Sequence, residues 1–469
     1  MAESKNQLVR ALTFTDATSL VIGTVIGTGV FLKAAAMTQQ VATPGLVLAA
    51  WVIAGLLSLV GALAYAELGG MLPQAGGEYV YLRAAYGNTP AFLYGWTQVA
   101  IAQTGGIAAL GIASATFLST LLPINMVWAR HTFHLLGREI NWQFGAHQIV
   151  AVALILLFSA INCASVAFGG RVQSVLTAAK LLGIALIVSG IFFFSQSTTW
   201  ANLAAPDGVA QWSGFKAFGA AILAALWAYN GWNFLPMAAG EVKHPGRNLP
   251  RALISGMLIV LIVYFLANLS YFYALPIDEV MTSSSTAHRD ALPVATKAAQ
   301  SFLGAWGAKY VSTIFLLSTI GALNGGILSS ARIPFAMARD GLFFSRIGNL
   351  SKSARVPVWA ICLQGLWASV LALSGTFDQL TDLAIFAIWI FAGLTVGAIF
   401  ILRRKLPDVS RPYRTLGYPV VPFIFIVVVV WLIVNTLQTN PVESAMGLGL
   451  MVLGLPLYFY FHHQKSLAS

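Results

Sequence analysis

Ala225-Leu226-Trp227-Ala228-Tyr229-Asn230-Gly231-Trp232-Asn233-Phe234-Leu235-Pro236 sits in the middle of an apolar run that extends from 214 to 240. Two amides, a glycine, a proline and several aromatics are poor material for a continuous helix bathed in hydrocarbon. A second interruption lies in the first apolar run, Leu20-Val21-Ile22-Gly23-Thr24-Val25-Ile26-Gly27-Thr28-Gly29-Val30-Phe31. Gly23 and Gly27 also form a small-xxx-small pair, so helix packing is the competing reading of that stretch alone. Gly27 and Asn230 lie 203 residues apart, and Pro44 and Pro250, near the starts of the next runs, lie 206 apart. Interruptions at matching positions of two halves point to a binding site formed where the halves meet.

The rest of the chain is built to hold such breaks inside a membrane. Of its 469 residues, 58% are hydrophobic and 9% charged, with a mean hydropathy of +0.79. Soluble domains carry about 25% charged residues, so a water-soluble globule is excluded. Runs long enough to cross a bilayer fall at about 17–40, 44–69, 90–121, 146–167, 171–196, 214–240, 251–275, 308–337, 357–375, 378–402, 416–438 and 443–462. These predict an all-α polytopic membrane protein of twelve transmembrane helices. Its expected parts are a cytoplasmic N-terminus (1–16), a first five-span repeat (17–198), a second (199–405), and two further spans with a cytoplasmic C-terminus (406–469). No series of alternating ten-residue segments supports a β-barrel. Of the longer loops (70–89, 122–145, 276–307 and 338–356), the stretch 76–86 is expected to form an amphipathic helix on the inner face, and 290–302 one on the outer face.

The net charge of +11 would suit a nucleic-acid partner, but the cations are sorted by side. With the N-terminus inside, inner segments hold eighteen of the 26 Lys and Arg and outer segments six. The positive-inside bias accounts for the excess, and no nucleic acid is needed. The first run has no small-residue cleavage site after it and reads as a retained span. Cys163 and Cys362 lie in apolar runs and offer neither a disulfide framework nor a CxxC site. The seven histidines show no ligand spacing, so neither metal nor cofactor is expected.

At an unwound midplane, exposed N–H groups attract an anion and exposed carbonyls a cation. A zwitterionic α-amino acid satisfies both. Lys180 sits about ten residues into the fifth run, where an ionisable group costs about 2.5–3.5 kcal/mol and marks function by default. Its ammonium is expected on the unwound carbonyls of the first span, which argues against sodium coupling. Release of its proton during a cycle would instead make it a proton carrier. Glu67, Glu241, Asp378 and Asp382 fall near span ends, and no acid is read at mid-depth, so neutral substrates are expected. Gln103, Thr104, Ser318, Thr319 and Asn324 are weaker pocket candidates, equally suited to bonding helix to helix. Trp227 is a candidate gate, and Glu241, Lys243, Arg247, Arg251 and Arg332 a candidate inner ion-pair gate.

Four motifs in order then carry a resemblance over nearly the whole chain. They are Gly23 to Phe31, Val172-Gln173-Ser174-Val175-Leu176-Thr177-Ala178-Ala179-Lys180-Leu181-Leu182, Trp227 to Asn233, and Gly240-Glu241-Val242-Lys243-His244-Pro245-Gly246-Arg247-Asn248-Leu249-Pro250-Arg251-Ala252. The chain resembles a prokaryotic member of the amino acid–polyamine–organocation (APC) superfamily, in its L-type amino acid transporter (LAT)-like branch. The resemblance implies a five-plus-five inverted repeat of the leucine-transporter (LeuT-like) kind. It implies that Thr28, Gly29 and their neighbours Ile26 and Gly27 meet a substrate carboxylate. Carbonyls around Val25 and at Trp227, Ala228 and Asn230 would meet the ammonium, with Tyr229 and Gly231 inside the same break. Trp227 looks like the occluding gate. The hydroxyl often found two places after the span-eight asparagine is here Gly326. Asn233 stands where acid-resistance arginine exchangers have a glutamate, so acid-driven arginine exchange is not implied. The 122–145 loop has no cysteine, which excludes a disulfide-linked heavy subunit.

These readings converge on a sodium-independent carrier of neutral L-amino acids in the plasma (inner) membrane, exchanging one for another by alternating access. A proton-coupled symporter using Lys180 is the alternative. A membrane-embedded enzyme would need a nucleophile–base pair, a metal cluster or paired carboxylates at depth, and none is read.

Overall fold

The protein is described by a computed structural model covering residues 7–135, 138–195, 198–204, 214–285, 287–288, 290–374, 377–439 and 441–468. The side chains of Lys5, Arg138, Arg289, Asp378, Asp382 and Lys465 lie outside the described set. The first apolar run is two helices, α1 (Phe14–Val25) and α2 (Gly29–Val41). Thr13 and Asp16 cap α1 reciprocally, each accepting a bond from the other's backbone N–H at 3.2 and 3.0 Å. Next come α3 (Pro44–Met71), a short α4 (Glu78–Tyr86), and α5 (Asn88–Thr97), which passes through a π-helical turn into α6 (Gln103–Ser119). The helices α7 (Ala146–Ala164) and α8 (Val166–Phe194) follow.

The sixth run is broken into α9 (Gly214–Ala228) and the single turn α10 (Phe234–Met237), and α11 (Pro245–Ala274) follows. On the next connection lie α12 (Ile277–Met281) and α13 (Val294–Leu303), then α14 (Trp306–Ser330) and α15 (Arg332–Arg339). The chain finishes with α16 (Val358–Ser374), α17 (Phe377–Lys405), α18 (Val420–Thr439), α19 (Pro441–Val452) and α20 (Gly454–Ala468). Among the described residues, nine helical stretches are long and apolar enough to cross a membrane. The shorter apolar helices α9 and α16 fall where spans six and nine are expected.

The inside-out polarity expected in lipid is plain on α8. Val175, Leu182, Leu186 and Phe193 make an exposed apolar stripe, while Gln173, Thr177 and Lys180 are buried on the opposite face.

Three loop expectations change. The 122–145 loop is not irregular: β1 (Val127–Leu135) pairs antiparallel with β2 (Arg138–Gly145). Ile140, Trp142 and Phe144 alternate with polar residues there, a period of two that a search for membrane strands passes over. Next, α4 does not lie on the membrane surface, since Glu78, Tyr79, Val80, Tyr81, Leu82 and Ala85 are all buried in protein. Finally, the outer-loop helix begins at Val294 rather than 290, because Pro293 stands at its N-cap with an extended ψ of 147°.

Candidate functional site

Both interruptions are real breaks, and they touch. Ile26 leaves the helical region (φ −73°, ψ 89°) and ends α1, and α2 restarts at Gly29. Of the first-turn N–H groups of α2, that of Phe31 bonds Thr28 O at 3.2 Å, while those of Gly29 and Val30 have no carbonyl within the helix to bond. In the sixth run, Gly231 takes φ +131°, and a Cβ on it would lie 2.7 Å from the Thr24 carbonyl oxygen. A Cβ on Gly29 would lie 2.4 Å from the Ala228 Cβ. Glycine is required at both points because the two unwound strands cross at backbone contact. Thr24 stands at the crossing, its hydroxyl 2.9 Å from Gly231 O and 2.7 Å from Leu20 O one turn back in its own helix.

A cavity of about 170 Å³ lies between the breaks. Val25, Gly27, Thr28, Gly29, Gln103, Trp227, Ala228, Asn230 and Asn233 line it, all of them singled out in the sequence. Thr24, Gly106, Leu110, Phe234, Ala322 and Ile388 also line it and were not anticipated. None of the lining residues is ionisable.

Other expected residues lie elsewhere. Ile26 contributes its carbonyl to Lys180 behind the cavity. Tyr229 is buried against Trp51 and Tyr264, with ring centroids 5.9 and 4.8 Å away. Gly231 is the crossing point rather than a lining residue. Thr104 donates to Val99 O at 2.9 Å, inside the π-helical turn. Asn324 is a structural knot: its Nδ2 donates to Gln173 Oε1 at 2.8 Å, and its Oδ1 accepts from Asn162 at 2.9 Å.

Lys180 is fully buried, and its Nζ reaches Gly23 O at 2.9 Å, Ile26 O at 2.7 Å and Ser318 O at 3.0 Å. Three acceptors match the three donors of an ammonium. The missing hydroxyl is supplied from earlier in the same helix: Ser318 Oγ donates to Ile26 O at 2.8 Å and stands 3.2 Å from Gly27 O. Gly326 therefore leaves no gap.

Tyr264 was missed. Its hydroxyl lies 2.9 Å from both Val25 O and Ala228 O, one carbonyl from each break. That hydroxyl has one proton and serves one of these carbonyls at a time, and Val25 O also accepts from Gly27 N at 2.8 Å. Of the four lone pairs on the two carbonyls, expected to meet a substrate ammonium, two are then taken and two are left. Trp227 O accepts from Asn230 N at 3.2 Å.

Above the cavity, Lys33 Nζ sits 4.3 Å from the centre of the Trp227 ring, a cation–π contact. At the end of the bundle carrying the N-terminus, Arg332 and Glu241 form a fully buried two-pronged pair with both bonds at 2.8 Å. The backbone at 12 and 241–243 closes over that pair: Leu12 N donates to Glu241 O at 2.9 Å, and Lys243 N to Leu12 O at 2.8 Å. Of the five gate candidates, only Glu241 and Arg332 are brought together in an ion pair among the described residues.

A second carboxylate escaped the sequence reading. Glu78, the first residue of α4, is buried, and its Oε1 accepts from the Tyr65 hydroxyl and from Asn233 Nδ2. Burial pushes its carboxyl above the usual range.

The family model for amino acid permeases matches residues 12–456. The serine/threonine exchanger SteT of Bacillus subtilis is 32% identical over 99% of this chain and 100% of its own length. The mouse b(0,+)-type amino acid transporter 1 is 30% identical over 95% of this chain and 86% of its own. The mouse large neutral amino acids transporter small subunit 2 is 30% identical over 98% and 83%.

Proposed function

The chain belongs to the amino acid permease family, and on that footing we propose that it exchanges neutral L-α-amino acids across the plasma membrane without sodium. The observation that carries this reading is the cavity between two crossed breaks, lined by no ionisable group. Uncharged walls suit a substrate whose charges are confined to its α-amino and α-carboxyl groups. The first turn of α2 supplies N–H groups for the carboxylate, and the free lone pairs of the break carbonyls take the ammonium. The names of the relatives agree, one with serine and threonine and another with large neutral amino acids.

Independence from sodium follows from Lys180. Its ammonium occupies the carbonyl set that a coordinated cation would need, and a second cation there would face uncompensated repulsion. Transport then runs by alternating access, with substrate binding biasing the two facing states through its differential affinity for them. The protein works as a single chain without a disulfide-linked subunit, with both termini in the cytoplasm.

Reconstitution into liposomes tests the reading. Labelled alanine should enter only when unlabelled neutral amino acid is trapped inside, and replacing sodium by choline should leave the rate unchanged. Uptake into empty vesicles driven by a pH gradient would favour proton symport instead. That reading rests on Lys180 being held by carbonyls alone, so that the loss of a proton would release it.

A further inference from the structure

The carboxyl of Glu78 has no part in the exchange cycle as described, yet it lies one residue from the cavity. Asn230, Asn233 and Ile388 line the central cavity on one side and a smaller void on the other, and Glu78 lines only the smaller one. Its position is built by two glycines. Gly76 (φ +112°) donates its N–H to Met237 O at 2.9 Å. Gly77 (φ +53°) presses so closely that a Cβ would lie 2.8 Å from Met237 N. The first turn of α4 is thereby held against α10, just past the break. Among the described residues, the groups around the carboxyl are Tyr65 on α3, Tyr81 on α4, Tyr94 on α5 and Asn233. No lysine or arginine among the described residues faces it.

A buried acid without a cation is costly, and a purely space-filling brace would be met by an apolar side chain. What the carboxyl does provide is an acceptor for one half of one amide. Asn233 Nδ2 donates to Glu78 Oε1 at 3.2 Å, while Asn233 Oδ1 is buried with no partner among the described residues. An unpaired buried acceptor in a residue that lines a ligand cavity is satisfied when a ligand brings a donor.

We propose that Glu78 is a positioning residue for side-chain selection: by holding Nδ2 of Asn233 it leaves Oδ1 as the acceptor for a hydroxyl on the substrate. The inference rests on the neutral amino acid reading and narrows it to hydroxyl-bearing substrates over apolar substrates of the same shape. Threonine and valine are that pair. A site that hydrogen-bonds a hydroxyl discriminates against the isostere lacking it, because the acceptor is then left empty.

Competition against labelled alanine in proteoliposomes reads the effect directly. The unsubstituted protein should favour threonine over valine by about tenfold, the worth of one buried hydrogen bond. Glu78→Gln retains a carbonyl acceptor for Asn233 and should keep that preference. Glu78→Met, which fills the same volume without an acceptor, should reduce it to about twofold or less while alanine exchange persists. Equal losses for threonine, valine and alanine in Glu78→Met would make the residue a structural brace and overturn the inference. Loss of the preference in Glu78→Gln, or an unsubstituted protein that exchanges alanine without favouring threonine, would overturn it too. A protein that exchanges no neutral amino acid at all would instead sink the transport reading itself. Should Glu78→Met not insert, thermal stabilisation of the detergent-purified Glu78→Gln variant by threonine against valine gives the same ratio from binding alone, and equal stabilisation by the two overturns the proposal.

Discussion

Lys180 and Glu78 stand behind the two breaks like mirror cases, and they are satisfied in opposite ways. Lys180 is a donor-only group, and the first break supplies it with carbonyls of Gly23 and Ile26, plus Ser318 O from α14. Glu78 is surrounded by donors, a phenol and an amide, beside the second break. An ammonium can be solvated by backbone because unwinding frees carbonyls at the C-terminal end of a half-helix. A carboxyl in the same setting must find side-chain donors, so it recruits Tyr65 and Asn233. The first arrangement welds α8 and α14 to the break. The second connects α4 to a residue of the cavity wall.

The strongest way to break this comparison is to supply a buried ion that has a charged partner and remove half of the pair. Arg332→Met strands Glu241 and should cost about 3–5 kcal/mol, read as a fall in the melting midpoint of the purified protein. A smaller loss there would mean that burial without pairing is cheap in this fold, and Lys180 would lose its standing as a special case. Gly231→Ala should cost about 2–3 kcal/mol and abolish exchange, since it forces a side chain against Thr24 O at a positive φ. Lys180→Met leaves Gly23 O without its donor and Ile26 O with only the Ser318 hydroxyl; exchange should vanish, with a stability loss of about 2 kcal/mol measured by the same melt.

Glu78 gives a smaller and pH-dependent signal. Because burial raises its folded-state value above the ordinary carboxylate range, folding takes up a proton. Its contribution to stability is therefore fully present below that range and is lost as pH rises above it. The melting midpoint of the unsubstituted protein should fall relative to that of Glu78→Gln over this rise, and parallel curves would contradict the assignment. Tyr65, Tyr81, Tyr94 and Asn233 are the groups facing it, and none changes charge in the acidic range. Smallest of all, Lys33→Ala removes a cation from the face of Trp227 and should weaken apparent substrate affinity about threefold in the exchange assay.

The two breaks were legible because their signal is local: glycines, amides and a proline crowd into a dozen residues of an otherwise apolar run. Lys180 was legible for the same reason, a lone charge at depth. Glu78 was not, because it reads as one more polar residue in a loop. Only folding brings it to Asn233, 155 positions away. Tyr264 was hidden likewise, lying 239 positions from Val25 on an unremarkable helix. Asn324 read both ways in the sequence, as pocket or as helix-to-helix glue. A polar group in a membrane helix advertises function, but here Gln173 and Asn162 consume it in helix-to-helix bonding. Composition marks where the chain departs from a lipid-facing helix, and distant partners decide what each departure is for.

The strap at Leu12 has a consequence for how this end of the molecule comes apart. Two peptide bonds of the N-terminal segment are tied to the chain on either side of Val242, right beside the guanidinium–carboxylate clasp. Peptide ties ignore ionic strength, and a clasp sealed from water is barely screened. Added salt therefore will not loosen this face, and the tie at Leu12 holds across the ionic strengths at which exposed ion pairs weaken.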